Sequence, residues 1–210
     1  MKKLFLLSLI LMGCLISSAE EPERSDRCGR IGVSGTFDLN IPGAWSAKDK
    51  NSDMSYGGGL GAVYNYSWHS NWFVEGGITF GYDNISLGSL VGNSGEGIES
   101  WRISVPVSVG YAFPVNELMK LSPMAGVNYQ RSLHSNLYGP RKAHDYDRHD
   151  IFRKDNFMVG VGVRLGFDEF AVDILGYFGV VGMFRDKSFA DDQTIYDNSI
   201  CVSAKYFFSL

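Results

Sequence analysis

Trp101-Arg102-Ile103-Ser104-Val105-Pro106-Val107-Ser108-Val109-Gly110-Tyr111-Ala112-Phe113 decides the fold. Every odd-numbered residue in this stretch is large and apolar, and every even-numbered one is polar, small or proline. Successive side chains of a strand point to opposite faces, so this alternation predicts one extended strand with one greasy face. Ile103, Val105, Val107 and Val109 add the β-branched content that suits a pleated surface.

The same period recurs on both sides of it. Strands are predicted over Arg30 to Ile41, Tyr56 to Trp68 and Trp72 to Asp83 before it. After it come Leu118 to Gln130, Asn156 to Phe167, Phe170 to Val181 and Thr194 to Phe208, which makes eight in all. Pro106 and Pro123 fall inside strands, where bulges or missing ladder bonds are expected. The connections alternate in length. His69-Ser70-Asn71, Pro114 to Glu117 and Asp168-Glu169 are short, whereas the stretches 42–55, 84–100, 131–155 and 182–193 are long. Antiparallel membrane barrels have short turns at one end and longer loops at the other.

Alternation alone does not say which face is outside, because a soluble lipocalin or sandwich alternates too. Three features turn the barrel inside out. The apolar faces carry no charge in any predicted strand. The opposite faces are small as well as polar, with Gly59, Gly61, Gly77, Gly81, Gly110, Gly126, Gly160, Gly162, Gly166 and Gly179 on them. A water-facing sheet would carry longer polar chains, whereas an eight-stranded lumen has room only for small ones. Third, aromatics on the apolar faces gather at strand ends. Trp68, Trp72, Tyr111, Phe113, Phe167, Phe170 and Phe208 fall on the turn side, and Phe80, Tyr82, Trp101 and Tyr129 on the loop side. Two such girdles mark the two interfaces of a membrane. Lipid offers the backbone no hydrogen bonds, so the eighth strand must pair with the first and close the sheet. The fold class is therefore all-β, an eight-stranded antiparallel up-and-down transmembrane barrel. The soluble alternative has only Gly43-Ala44-Trp45 in its favour, and that triplet lies in a predicted loop.

The N-terminus reads as an export signal. Lys2 and Lys3 precede a short apolar run from Leu4 to Ile16, and Ser17 and Ala19 occupy small-residue cleavage positions. Cleavage after Ala19 is expected, in preference to lipoprotein processing at Cys14, whose preceding Met12 suits a lipobox poorly. The chain then divides into a signal peptide (1–19), a short periplasmic segment (20–29) and a barrel (30–210), with both termini periplasmic. The net charge of −4 becomes −6 once residues 1–19, which hold two lysines and no acid, are removed. That acidity argues against nucleic acid as a partner. Cys28 is expected just before the first strand and Cys201 well inside the last, too far apart in height for a disulfide.

These features together resemble the small outer-membrane barrels of the OmpA/OmpX type. The stretch Trp101 to Tyr111 is similar to the Ile-Pro-containing central strand of the porin-like, PorT-type barrels common in Bacteroidetes, with Val105 in place of the Ile. The resemblance implies outer-membrane lipid, the barrel assembly machinery and periplasmic chaperones as partners, with a surface ligand met through the loops. It implies no cofactor. The ending Tyr206-Phe207-Phe208-Ser209-Leu210 departs from the terminal aromatic by which many such barrels are recognised during assembly.

Candidate sites follow from the faces. Asn65, Glu75, Arg102, Asn128, Gln130, Arg164, Asp173 and Lys205 fall on the lumen face. Arg164 and Asp173 are equidistant from the Asp168-Glu169 turn, and Asn65 and Glu75 from Ser70, so each pair is expected to sit opposite across a hairpin. Buried charges must pair, so these groups predict a salt-bridged plug in preference to an ion path. The segment His144-Asp145-Tyr146-Asp147-Arg148-His149-Asp150 has imidazoles and carboxylates at ligand spacing, but its interspersed arginine weakens a metal reading. His69-Ser70-Asn71 and His134-Ser135-Asn136 invite comparison with lipid A deacylases of this architecture. In both, adjacent His and Ser would point to opposite faces and could not act as base and nucleophile. No enzyme activity, cofactor or metal is expected. A structural or surface-interaction role is favoured, with a narrow small-solute channel as the alternative.

Overall fold

The computed structural model describes residues 28–44, 54–68, 71–87, 95–139, 152–185 and 194–208. Eight long strands make the wall: β1 (Cys28–Asn40), β2 (Ser55–Ser67), β3 (Trp72–Ser86), β4 (Gly97–Tyr111), β5 (Lys120–Tyr138), β6 (Asp155–Gly166), β7 (Phe170–Gly182) and β8 (Ile195–Phe208). Each pairs antiparallel with the next, and β8 returns to β1 from Ile31↔Phe208 to Asn40↔Ser199. The sheet therefore closes on itself as a ring. No helix occurs among the described residues.

Burial is inverted relative to a soluble domain. Outward apolar residues such as Leu60 and Val161 are 76% and 62% exposed, while inward Asn65 and Asp173 are 1% and 0% exposed. Apolar positions therefore face where lipid lies, and polar ones fill the interior.

The strand boundaries depart from the sequence expectation mainly at the loop end. β5 continues to Tyr138, eight residues past its predicted end at Gln130, and β4 begins at Gly97 instead of Trp101. Alternation fades in these extensions because they rise above the apolar band, where neither face needs to be greasy. Gly43–Ala44, expected in a loop, forms a short strand on Ile195–Tyr196 of β8. Phe113, expected to end the fourth strand, and Pro114, expected in the turn, form a separate two-residue strand on Lys120–Leu121.

Both prolines interrupt the ladder without shifting it. The β3–β4 pairing skips from Gly76↔Val107 to Thr79↔Ser104 with its register unchanged, across Pro106. The pairing of β5 likewise passes from Gly110↔Met124 to Phe113↔Leu121 across Pro123. Missing N–H donors explain the gaps. The bulges lie elsewhere, at Leu133 of β5 and between Tyr196 and Asn198 of β8.

Cys28 is the first residue of β1, a correction to its expected place before the strand. It stands opposite Ser67 of β2, whereas Cys201 stands opposite Asp38, ten positions further along β1. Cys201 is free and buried.

Candidate functional site

The Asp168-Glu169 turn is closed by the Phe167 N–H donating to the Phe170 carbonyl at 2.7 Å, and it fixes the register of β6 on β7. Arg164 thereby faces Asp173 directly. Its Nε donates to Asp173 Oδ1 at 2.6 Å and its Nη2 to Oδ2 at 2.7 Å, a two-pronged pair. Nη2 also donates to Glu75 Oε1 at 2.8 Å. Lys205 Nζ reaches Asp173 Oδ2 at 2.5 Å and also donates to Glu75. Asn65, opposite Glu75 in register, donates to Glu75 Oε2 at 3.2 Å. The Arg164 guanidinium lies 4.6 Å above the Phe73 ring. Two cations and two carboxylates thus neutralise one another across the lumen, all nearly sealed from solvent.

Arg102 does not join that group. It anchors a second cluster nearer the loop end, with Nη1 on Asp83 Oδ2 at 2.5 Å and Nη2 on Asp38. Asn40 donates to Asp83 Oδ1 at 3.3 Å, and Asn156 to the buried Asp197 at 3.2 Å. Asp38, Asp83 and Asp197 were absent from the predicted lumen group. Their strand parity was the available signal, since Asp38 shares a face with Ser34 and Thr36. Asn128 lines a cavity of about 50 Å³ between the clusters, and Gln130 a second of about 50 Å³ on the loop side of Arg102. Each has room for only a few water molecules.

A cluster of apolar side chains lies inside the loop end, at positions where the sequence shows no alternation. Ile85, Leu87, Ile98, Phe184 and Ile195 are buried together, with Leu137, Phe152 and Met183 against them. The turn end is more open, a vestibule of about 420 Å³ that stops at Asn65, Phe73 and Arg164.

Outside, the two girdles are present as ring contacts. At the turn end Tyr66 meets Trp68, Trp72 meets Tyr111, Tyr111 meets Phe113, Phe167 meets Phe170 and Tyr206 meets Phe208. At the loop end Trp101 stacks on Phe80 at 5.3 Å and takes Tyr82 edge-on. Tyr129 is exposed on the same side, its hydroxyl on Asp155 at 2.5 Å.

His134 stands opposite the outward Trp101, and Ser135 opposite the inward Ser100, so the two side chains diverge. His69, Ser70 and the segment His144 to Asp150 lie outside the described residues.

The sequence matches the outer membrane protein beta-barrel domain over residues 6–208. The chain belongs to this family. Its members' fold and location, a β-barrel in the bacterial outer membrane, are therefore those of this protein. No curated protein matches it in sequence. Among solved structures it is similar to the neisserial surface protein A, with 9% identity, 85% of this chain and 97% of that one covered, and a TM-score of 0.50. It is also similar to Ail, the attachment invasion locus protein of Yersinia pestis, at 17% identity over 86% of this chain and 99% of that one, TM-score 0.40. The outer membrane enzyme PagL matches at 15% identity over 82% and 98%, TM-score 0.48. At 9% identity the likeness to the neisserial protein is one of fold alone.

Proposed function

We propose that this barrel acts as a closed scaffold, with a structural or surface-interaction role carried by its loop end, and not as a channel or an enzyme. The observation that carries this is the filled lumen. The neutral group of Glu75, Arg164, Asp173 and Lys205, the Arg102 cluster and the apolar cap around Ile85 and Phe184 succeed one another along the axis. An eight-stranded barrel encloses little more than its own side chains, and here the two cavities on either side of Arg102 hold only about 50 Å³ each. The short turns lie at the end that holds Cys28 and Phe208, which supports a periplasmic position for both ends of the strand ring.

The divergence of His134 and Ser135 supports the non-enzymatic reading, because a nucleophile and its base need hydrogen-bond reach. Planar-bilayer recording on the refolded protein is the test. No sustained conductance step is expected. A stable, large, open pore would refute the plug. A gene deletion scored for envelope sensitivity and surface binding then separates a structural role from an adhesive one.

A further inference from the structure

β5 and β6 part company at the loop end. Their ladder runs from Lys120↔Gly166 to Arg131↔Asp155, and the Ser132 N–H then donates to the Lys154 carbonyl at 2.7 Å. Beyond that bond the chain from Lys154 back to Phe152 turns away. The Arg153 N–H donates to the Met183 carbonyl at 2.9 Å, and Phe152 bridges to Phe184. β5 runs on to Tyr138 paired to β4, and among the described residues it has no further partner strand on its β6 side.

The bulge lies at this point. Trp101 pairs with His134 and Arg102 with Ser132, so Leu133 is the extra residue and both Leu133 and His134 are exposed. Bulges re-aim side chains at the rims of barrels. The resulting seam is a cleft of about 160 Å³ whose lining includes Leu133, His134, Asn136, Phe152, Arg153 and Lys154.

Among the described residues the seam is cationic: Arg153 and Lys154 line it, and the Arg131–Asp155 pair stands next to it. Asp155 accepts from Arg131 at 3.1 Å and from the Tyr129 hydroxyl, while Arg153 and Lys154 have no ion pair among the described residues. Its height is set by its neighbours. Trp101 of the loop-end girdle stands opposite His134 itself, Tyr129 and the exposed Phe157 pair two residues below the Arg131–Asp155 rung, and girdle aromatics sit at the level of lipid headgroups. A net positive cleft with apolar walls therefore stands where the phosphates of the surrounding lipid must pass.

We propose that this seam binds the phosphate of a net anionic lipid headgroup in the leaflet at the loop end. Arg153 offers a planar fork and Lys154 a point charge to the phosphate oxygens, while the exposed Leu133 stands beside Trp101 and meets the apolar part of the lipid. The inference rests on the family's membrane location and is independent of whether the lumen is closed.

The test is native mass spectrometry of the folded full chain, released from micelles holding equal phosphatidylglycerol and phosphatidylcholine. The wild type is expected to retain phosphatidylglycerol preferentially. The double variant R153Q/K154Q should lower that preference by about fivefold for each cation removed, while the turn-end variant K120Q keeps it. Both changes are at exposed side chains, so heat-modifiable gel migration should be unaltered. Millimolar inorganic phosphate should not displace the lipid. Equal retention of the two lipids, an unchanged preference in R153Q/K154Q, or displacement by phosphate alone would each overturn the proposal.

Discussion

Arg164 shows what a single lumen residue contributes. It bridges Glu75 and Asp173, and although Lys205 also contacts both carboxylates, its single charge cannot neutralise two. Removing one partner of a buried pair leaves an uncompensated charge. Arg164→Met is therefore expected to cost about 3–5 kcal/mol, read as a lower midpoint of urea unfolding from lipid vesicles. An unchanged midpoint would mean that the network is dispensable. A second residue-scale prediction concerns backbone approach. A Cβ on Gly162 would lie 2.1 Å from the Ile174 carbonyl oxygen and 2.8 Å from the Leu175 Cα, whereas one on Gly76 meets nothing within 4 Å. Gly162→Ala should reduce the fraction that folds to the heat-modifiable form, and Gly76→Ala should leave it intact. Arg164 with Asp173 and Asn65 with Glu75 were legible in the sequence because each pair flanks a short hairpin, where counting from the turn fixes register. The partners of Arg102 were not. Asp38 is on β1 and Arg102 on β4, strands that are not paired in the sheet, so the contact across the lumen depends on the stagger of the closed barrel.

Among the elements, the strands were readable wherever they cross lipid. There one face must be apolar, so a period of two is imposed on the sequence. β5 was underestimated because its last turnless stretch, up to Tyr138, stands clear of that constraint. The same physics sets a depth-dependent cost for charge on the outward face. Val161 lies near the middle of β6, and Val161→Arg should destabilise by about 2–4 kcal/mol. Leu118, exposed in the turn before β5, should tolerate Arg at a cost of about 0–1 kcal/mol. Urea unfolding of the two variants in vesicles compares them directly. Equal costs would argue that β6 does not cross the bilayer.

For the molecule as a whole, closure and filling are linked. Pairing of β8 with β1 removes the last unsatisfied edge, and an eight-stranded ring is then narrow enough for side chains to occupy its interior. The ion clusters and the loop-end apolar cap are what occupy it here. The cap was illegible in the sequence because Ile85, Ile98 and Ile195 lie in predicted loop or strand-end positions, where an isolated apolar residue carries no signal of its partners. The proposed scaffold role accordingly rests on the rim and loops, and the proposed lipid site lies there, at the β5–β6 seam. The inside-out arrangement is tested most directly by nitroxide labels placed singly from Trp101 to Tyr111 in vesicle-embedded protein. Collision with lipid-dissolved oxygen should rise and fall with a period of two, peaking at Ile103, Val105, Val107 and Val109, while labels at Ser104 and Ser108 stay shielded. Loss of the alternation, or access of a water-soluble relaxer to the odd-numbered positions, would contradict a barrel that turns its apolar face to lipid.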